Sequence, residues 1–290
     1  MLVLPAAMLE STRCDEHIRM PTDIERVELK ELPCDLQISV ITVVYNGAKE
    51  IQSTIQSFLE QDRHGCEYIV VDGGSTDGTQ EILRKYNDEI DHYISEPDQG
   101  VYDAMNKGLA LARGRWIYYL NCGDRLASPE VLKKASALLQ TCSASLVAGF
   151  VLVDSDKASA TRFPLKPSEE TSARDIFRRH FCHQALFILR EAYLAQGGFD
   201  LSYPTFADFD MCWKIISTTG GFESIELDIA HFDLNGISSD YRNSLRIYLE
   251  SERIFTHARE KRTALRYWVG ALRALGYKYK RMLMEGLKCL

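Results

Sequence analysis

The amino-acid sequence predicts a doubly wound α/β fold: a mostly parallel sheet with helices on both faces and a C-terminal helical tail. Three observations carry this expectation. Apolar, β-branched runs alternate with stretches of helical periodicity four times between Ile38 and Asp124. The connections between them are short. Each predicted strand ends in polar or acidic residues, which is where ligands bind in open α/β sheets.

Ile38–Val44 (ISVITVV) reads as a buried parallel strand and is broken by Tyr45-Asn46-Gly47. Ile51, Ile55, Phe58 and Leu59 then share one helix face. Tyr68–Val71 is a second strand, stopped by Asp72-Gly-Gly-Ser-Thr-Asp-Gly78, after which helix is expected through Tyr86. His92–Ile94 is a short third strand and Asp103–Ala112 a helix. Trp116–Leu120 is a fourth strand, ending in Asn121-Cys122-Gly123-Asp124. The second half is less regular, with strands expected at Leu146–Val153 and Gln184–Leu189 and a polar loop over 154–171 between them. Gly197-Gly-Phe-Asp200 leads to the segment Phe206–Ile216, and helical periodicity returns from Ser244. Residues 1–36 contain Pro5, Pro21 and Pro33 and no sustained period. The expected organisation is an arm over 1–36, a catalytic domain over 37–243 and a tail over 244–290.

A chain of 290 residues can bury a full core, and 46% apolar with 26% charged residues is ordinary for a globular protein. The formal charge of -7 argues against a nucleic-acid partner. Charge is unevenly spread: residues 245–290 carry 11 Lys and Arg against 4 Asp and Glu, leaving the first 244 residues strongly acidic. From Ser251 the tail interleaves basic residues with an apolar stripe (Tyr267, Trp268, Leu272, Leu275, Tyr279, Leu283), which suits an anionic membrane surface. Packing on the protein's own acidic body, or a dimer contact, would use the same pattern. The eight cysteines are scattered without a CxxC pair, which points to a reducing compartment and no structural zinc. Met1–Leu9 is too short and too soon followed by charge for a leader or a membrane span. The expected location is cytoplasmic, peripheral on the inner membrane face if the tail docks there.

The motifs VITVVYN, VVDGGSTDGT, SEPDQGVYDAMNKG, YLNCGD and GGFD…FADFDMCWK fall in order, each of the first four at or just after a predicted strand. Together they resemble the family 2 glycosyltransferases of GT-A fold, most closely bacterial members that build surface polysaccharides and lipid-linked oligosaccharides. The resemblance spans about Ile38 to Ser239. It implies an inverting enzyme that moves a sugar from a nucleotide-diphosphate-sugar, a UDP-sugar by preference, to a saccharide or lipid-linked acceptor.

A nucleotide-sugar needs a slot for its base, a clamp for its ribose and a cation for its diphosphate. The exit Thr42, Val43, Tyr45, Asn46 would offer backbone groups and an aromatic face to the base. The resemblance gives Asp72 a hydrogen bond from base or ribose, the alternative being a turn-capping role. Ser75 and Asp77 are expected to shape the loop. Family members often carry a second Asp where this chain has Gly73. Asp103 and Asn106 would approach nucleotide and sugar, unless Asp103 merely pairs with Lys107 along the helix. Asn121, Cys122, Gly123 and Asp124 stand at the family's Asp-x-Asp motif. Asp124 is the expected ligand of a divalent cation, Mg²⁺ or Mn²⁺, with His231 as a candidate second ligand or else a core histidine. One carboxylate fewer than usual makes the cation depend on the nucleotide. Asp208 aligns with the catalytic base, Ala207 replacing the Glu that usually precedes it. A carboxylate there takes the acceptor's proton. His183, in Cys182-His183-Gln184, and Asp210 are assigned to acceptor or sugar, each with a packing or helix-start alternative.

Absence of GxGxxG after the first strand argues against a dinucleotide-dependent dehydrogenase, and absence of a basic glycine-rich loop against a nucleotidyltransferase. The remaining alternative is a catalytically degenerate GT-A protein that binds sugar nucleotides as a sensor or assembly partner. Gly73, Asn121, Gly123 and Ala207 motivate it.

Overall fold

The computed structural model describes residues 36–153, 161–163, 182–232 and 244–257. Nine strands among these residues form one mixed sheet: β1 (Ile38–Val44), β2 (Cys66–Asp72), β3 (His92–Ser95), β4 (Trp116–Tyr119), β5 (Arg125–Leu126), β6 (Leu146–Val153), β7 (Thr161–Phe163), β8 (Leu186–Leu189) and β9 (Phe222–Phe232). Their order is β3-β2-β1-β4-β8-β6-β9-β5, with β7 paired to β6. The four strands of the first half are mutually parallel, as alternating strand and helix demand. The second half is mixed: β8 runs antiparallel to β4 and β6, and β9 runs parallel to β6.

Helices cover both faces. β1 alternates, sending Ile41 and Val43 into one core and Ile38, Val40 and Val44 into the other. Over the second face lie α1 (Ile51–Leu59), α2 (Thr79–Lys85) and α4 (Val131–Gln140), through Ile51, Ile55, Phe58, Leu83, Leu132 and Leu139. Over the first lie α3 (Val101–Leu111), α5 (Arg190–Ala195), α6 (Ala207–Thr219) and α7 (Ser244–His257), through Met105, Leu109, Tyr193, Ile215 and Ile254. The tail therefore does not start as a detached element. Ile254 is 2% exposed within the main core, and Glu250 is buried and accepts the Thr205 N–H at 3.0 Å. Burial lifts the Glu250 carboxyl above its ordinary range.

The expected parallel strands and their helices are present within a few residues of the sequence reading. Gln184 lies within a short 3₁₀ turn (His183–Ala185), and β8 starts only at Leu186. Residues 1–35, most of the loop after β6, Asp233–Ser239 and the basic tail beyond His257 lie outside the described residues.

The topology brings one set of segments to one edge of the sheet. The parallel strands β1 to β4 all exit there. Because β8 is antiparallel to β4, pairing Trp116 with Leu189, the turn that enters β8 lies beside the exit of β4. His183, sixty residues downstream in sequence, thus meets Asn121.

Candidate active site

Four loops at the exits of β1 to β4 and the first turn of α6 form the site. The β1 exit is held by the β2 exit. Asn46, at φ +51, accepts the Thr76 N–H at 2.9 Å on Oδ1 and donates its own N–H to Ser75 Oγ at 2.7 Å. Asp77 accepts the Ala48 N–H at 3.0 Å and the Thr79 N–H at 3.1 Å, so it shapes the loop. The Thr79 hydroxyl, which donates to it at 2.5 Å, and then these backbone bonds hold its carboxyl below the ordinary range. Tyr45 is left 67% exposed at the rim, a large aromatic face turned to solvent.

Several expected donor contacts are committed elsewhere. Asp72 is fully buried: it accepts the Ser75 N–H at 3.2 Å, the Ser75 hydroxyl and the Ser95 hydroxyl at 2.6 Å. Its carboxylate is thus spent on the Asx-type turn after β2 rather than presented to the cleft. Thr42 is equally buried, its hydroxyl 2.7 Å from the Leu120 carbonyl and 3.0 Å from the Tyr68 hydroxyl. Asn106 clamps the backbone of Phe199, donating to its carbonyl at 3.0 Å and accepting its N–H at 2.8 Å. Asp103 accepts the Gln99 N–H at 2.9 Å and lies 3.7 Å from Lys107 Nζ. Asp210 is buried and lies 2.6 Å from Lys214 Nζ. Val43 is buried, its carbonyl accepting the Cys122 N–H at 3.3 Å.

The β4 exit is a tight turn in which Asp124 donates its N–H to the Asn121 carbonyl at 3.0 Å, with Gly123 at φ +100. Such a φ suits glycine. Asp124 is 4% exposed, and its charge helps raise the Tyr118 hydroxyl and the Cys122 and Cys182 thiols, both thiols reaching about 12 chiefly through burial. Burial thus keeps both thiols in the protonated, weakly nucleophilic form. Cys122 contributes packing against the Gly47 carbonyl.

The donor set suits a hard cation in part. Asn121 Oδ1 is buried and receives no hydrogen bond among the described residues, in the same turn as the buried Asp124. Oxygen donors of this kind are what a hard cation such as Mg²⁺ or Mn²⁺ prefers. His231 pairs with Arg125 across β5 and β9 and lines a cavity with Ser53, Gln56 and Glu60. No three His, Cys, Asp or Glu side chains among the described residues could hold a metal by themselves.

On the other side of Asn121 lies the base candidate. Asp208, second residue of α6, accepts the Phe209 N–H at 2.8 Å on Oδ1, with the Tyr102 hydroxyl 3.0 Å from the same oxygen. Tyr102 also lies 3.0 Å from the Thr205 carbonyl, and its single proton serves one of the two at a time. Asp208 Oδ2 lies 3.0 Å from His183 Nδ1. His183 Nε2 lies 2.9 Å from Asn121 Nδ2. The amide donates, so Nε2 accepts and Nδ1 donates to Asp208, which fixes the ring in one orientation. A helix N-terminus further favours the Asp208 carboxylate. The sequence named Asn121, His183 and Asp208, but the link Asn121–His183–Asp208 is visible only in three dimensions. Tyr102 and Glu250 were not anticipated. Tyr102 carries a signal in its place one residue before Asp103 in VYDAMNKG, but Glu250 carries none.

Polar and acidic strand exits gathered at one edge of the sheet stand where open α/β sheets bind their ligands. Comparison with known proteins gives the particular family. The model of glycosyl transferase family 2 matches residues 39–198. A PGL/p-HBAD biosynthesis glycosyltransferase of Mycobacterium tuberculosis is 33% identical over 176 residues, 59% of this chain and 66% of that protein. The chain therefore spans just under two thirds of that relative's length. Among solved structures, Staphylococcus aureus TarS in complex with UDP-GlcNAc superposes with a TM-score of 0.60 at 18% identity, covering 74% of this chain and 66% of that one. The mannosyltransferase PcManGT of Pyrobaculum calidifontis, in complex with GDP-Man and Mn²⁺, gives 0.58 at 18%, covering 87% and 79%. The chain belongs to glycosyltransferase family 2, with the GT-A fold.

Proposed function

We propose that this protein is an inverting glycosyltransferase that uses a UDP-sugar and a hydroxyl of a saccharide or lipid-linked acceptor in building a cell-envelope glycan. The observation that carries the reading is the orientation of Asp208 by His183 and Tyr102, with His183 in turn hydrogen-bonded to the turn that bears Asp124. The complex of TarS with UDP-GlcNAc and the PGL/p-HBAD biosynthesis named for the mycobacterial relative support the donor and acceptor classes.

In this mechanism Asp208 accepts the proton of the acceptor hydroxyl as that oxygen attacks the anomeric carbon from the face opposite the diphosphate. The new carbon–oxygen bond forms as the bond to the diphosphate breaks, and the diphosphate leaves with the electron pair. One base on one face inverts the anomeric configuration. His183 and Tyr102 hold the carboxylate in its accepting orientation, while Asp124 and Asn121 Oδ1 would hold a divalent cation. That cation would neutralise the charge gathering on the diphosphate. Tyr45 offers the face on which the base stacks, and Asn46, Ser75 and Asp77 keep that face in place. Asp72, Thr42 and Asn106 act beneath this surface, as its frame. The basic tail beyond the described residues would bring the enzyme to an anionic membrane where a lipid-linked acceptor resides. Among the described residues no helix is long and apolar enough to cross a membrane.

The test is Asp208→Asn, which keeps shape and removes the proton acceptor. Transfer should fall by about a hundred- to ten-thousand-fold. Sugar-nucleotide affinity should stay within a few-fold of wild type, because Asp208 faces the acceptor. Near-normal transfer by the variant would remove Asp208 from the chemistry.

A further inference from the structure

We propose that Asp98 reads the nucleobase, its carboxylate occupying the space that a side chain at position 73 would fill. The proposal deepens the reading of the donor site and rests on it. Gly73 ends the β2 exit, its N–H donated to the Val44 carbonyl at 2.9 Å. It is not among the residues with positive φ, so its backbone would accept any side chain; what excludes one is Asp98. A Cβ on Gly73 would fall within the radius of Asp98 Oδ2, 3.0 Å from Asp98 Cγ and 3.4 Å from Tyr45 Cδ2. The β3 exit loop thus delivers, from twenty-five positions downstream, a carboxylate to the rim of the exposed Tyr45 ring.

The carboxylate is available there. Oδ1 accepts the Gly100 N–H at 2.8 Å, which fixes its direction, while Oδ2 receives no hydrogen bond from the described residues. The nearby cation is engaged by others: Lys107 Nζ lies 2.8 Å from Glu96, 3.7 Å from Asp103 and 2.9 Å from the Pro97 carbonyl. A flat aromatic face with an acceptor-only group at its edge selects bases that present an imide N–H to that edge. Uracil N3–H and guanine N1–H do so. Cytosine N3 and adenine N1 are lone pairs and would meet the carboxylate with repulsion.

The experiment measures affinities of the full chain for UDP, GDP, CDP and ADP by calorimetry with Mn²⁺ present. The proteins are wild type, Asp98→Asn and the double variant Gly73→Asp/Asp98→Ala. Asp98→Asn retains an Oδ1 acceptor for the Gly100 N–H, so the turn is preserved. Wild type should bind the better of UDP and GDP about tenfold or more above both CDP and ADP, the scale of a hydrogen bond to a charged group. The UDP and GDP arms decide which imide base fits. Asp98→Asn should bring these ratios close to one, because the amide can donate to cytosine or adenine. The double variant should restore them, since it returns a carboxylate to the same place from the other loop. Unchanged ratios in Asp98→Asn, equal weakening of all four ligands, or no restoration in the double variant would overturn the role of Asp98 while leaving the donor site intact. Binding of none of the four by wild type would instead overturn the donor-site reading itself.

Discussion

His183→Ala probes the link between the two sides of the site. His183 donates through Nδ1 to Asp208 Oδ2 at 3.0 Å, while Oδ1 has its own donors in Phe209 and Tyr102. Oδ2 is the oxygen with room left for an incoming hydroxyl, and the imidazole sets its direction. A hydrogen bond to a charged group contributes roughly 1.5–3 kcal/mol. With side chains 22% and 16% exposed, water replaces part of the bond, and about 1–2 kcal/mol is the reasonable loss. Expressed as a barrier, that lowers kcat by about 5- to 30-fold. The loss should fall on kcat at saturating donor and acceptor, with UDP affinity within about threefold, since Asp124 and Tyr45 are untouched. Initial rates with a radiolabelled donor, beside calorimetry with UDP, make the measurement. Transfer within twofold of wild type would refute the positioning role. A loss as deep as that of Asp208→Asn would mean that His183 itself takes the proton.

Asp124→Ala should lose sugar-nucleotide binding and turnover together, because Asn121 Oδ1 alone cannot hold a cation against water. Full wild-type activity in excess chelator would contradict the cation's part. Removing residues 258–290, a cut placed after α7 so that Ile254 and Glu250 keep their contacts, should release the protein from anionic vesicles while UDP still binds. That vesicle binding should weaken with salt, the charges being screened over about 8 Å at physiological ionic strength. Unchanged vesicle binding after truncation would refute membrane docking by the tail.

The parallel half of the sheet was legible because its strands are continuous β-branched runs and its helices carry apolar residues at helical spacing. Val131, Leu132, Ala135 and Leu139 announce α4 in the same way, although the sequence reading passed over it. β9 was hidden: Glu223, Glu226 and Asp228 interrupt its apolar residues, because much of this edge-proximal strand is not enclosed. In the site, residue types were legible and their partners were not. Asp72 looked like a ligand because it is a carboxylate at a strand exit. The parallel register that pairs Asp72 with Ser95 shows which partners its carboxylate holds, and no local pattern announced them. Asn106 and Phe199 are 93 positions apart, and His183 and Asp208 are joined by a turn and a helix start that no local pattern connects. Glu250 supports Thr205 from a helix that the sequence reading placed in the tail.

The central claim is transfer with inversion by a single base. The most direct measurement is the anomeric configuration of the product formed from an α-linked UDP-sugar, read by NMR from the coupling and shift of the new anomeric proton. The account predicts a β-linkage to the acceptor in the wild type. An α-linked product would contradict it, because retention requires two displacements or a front-face path that Asp208 acting as the acceptor's base does not provide.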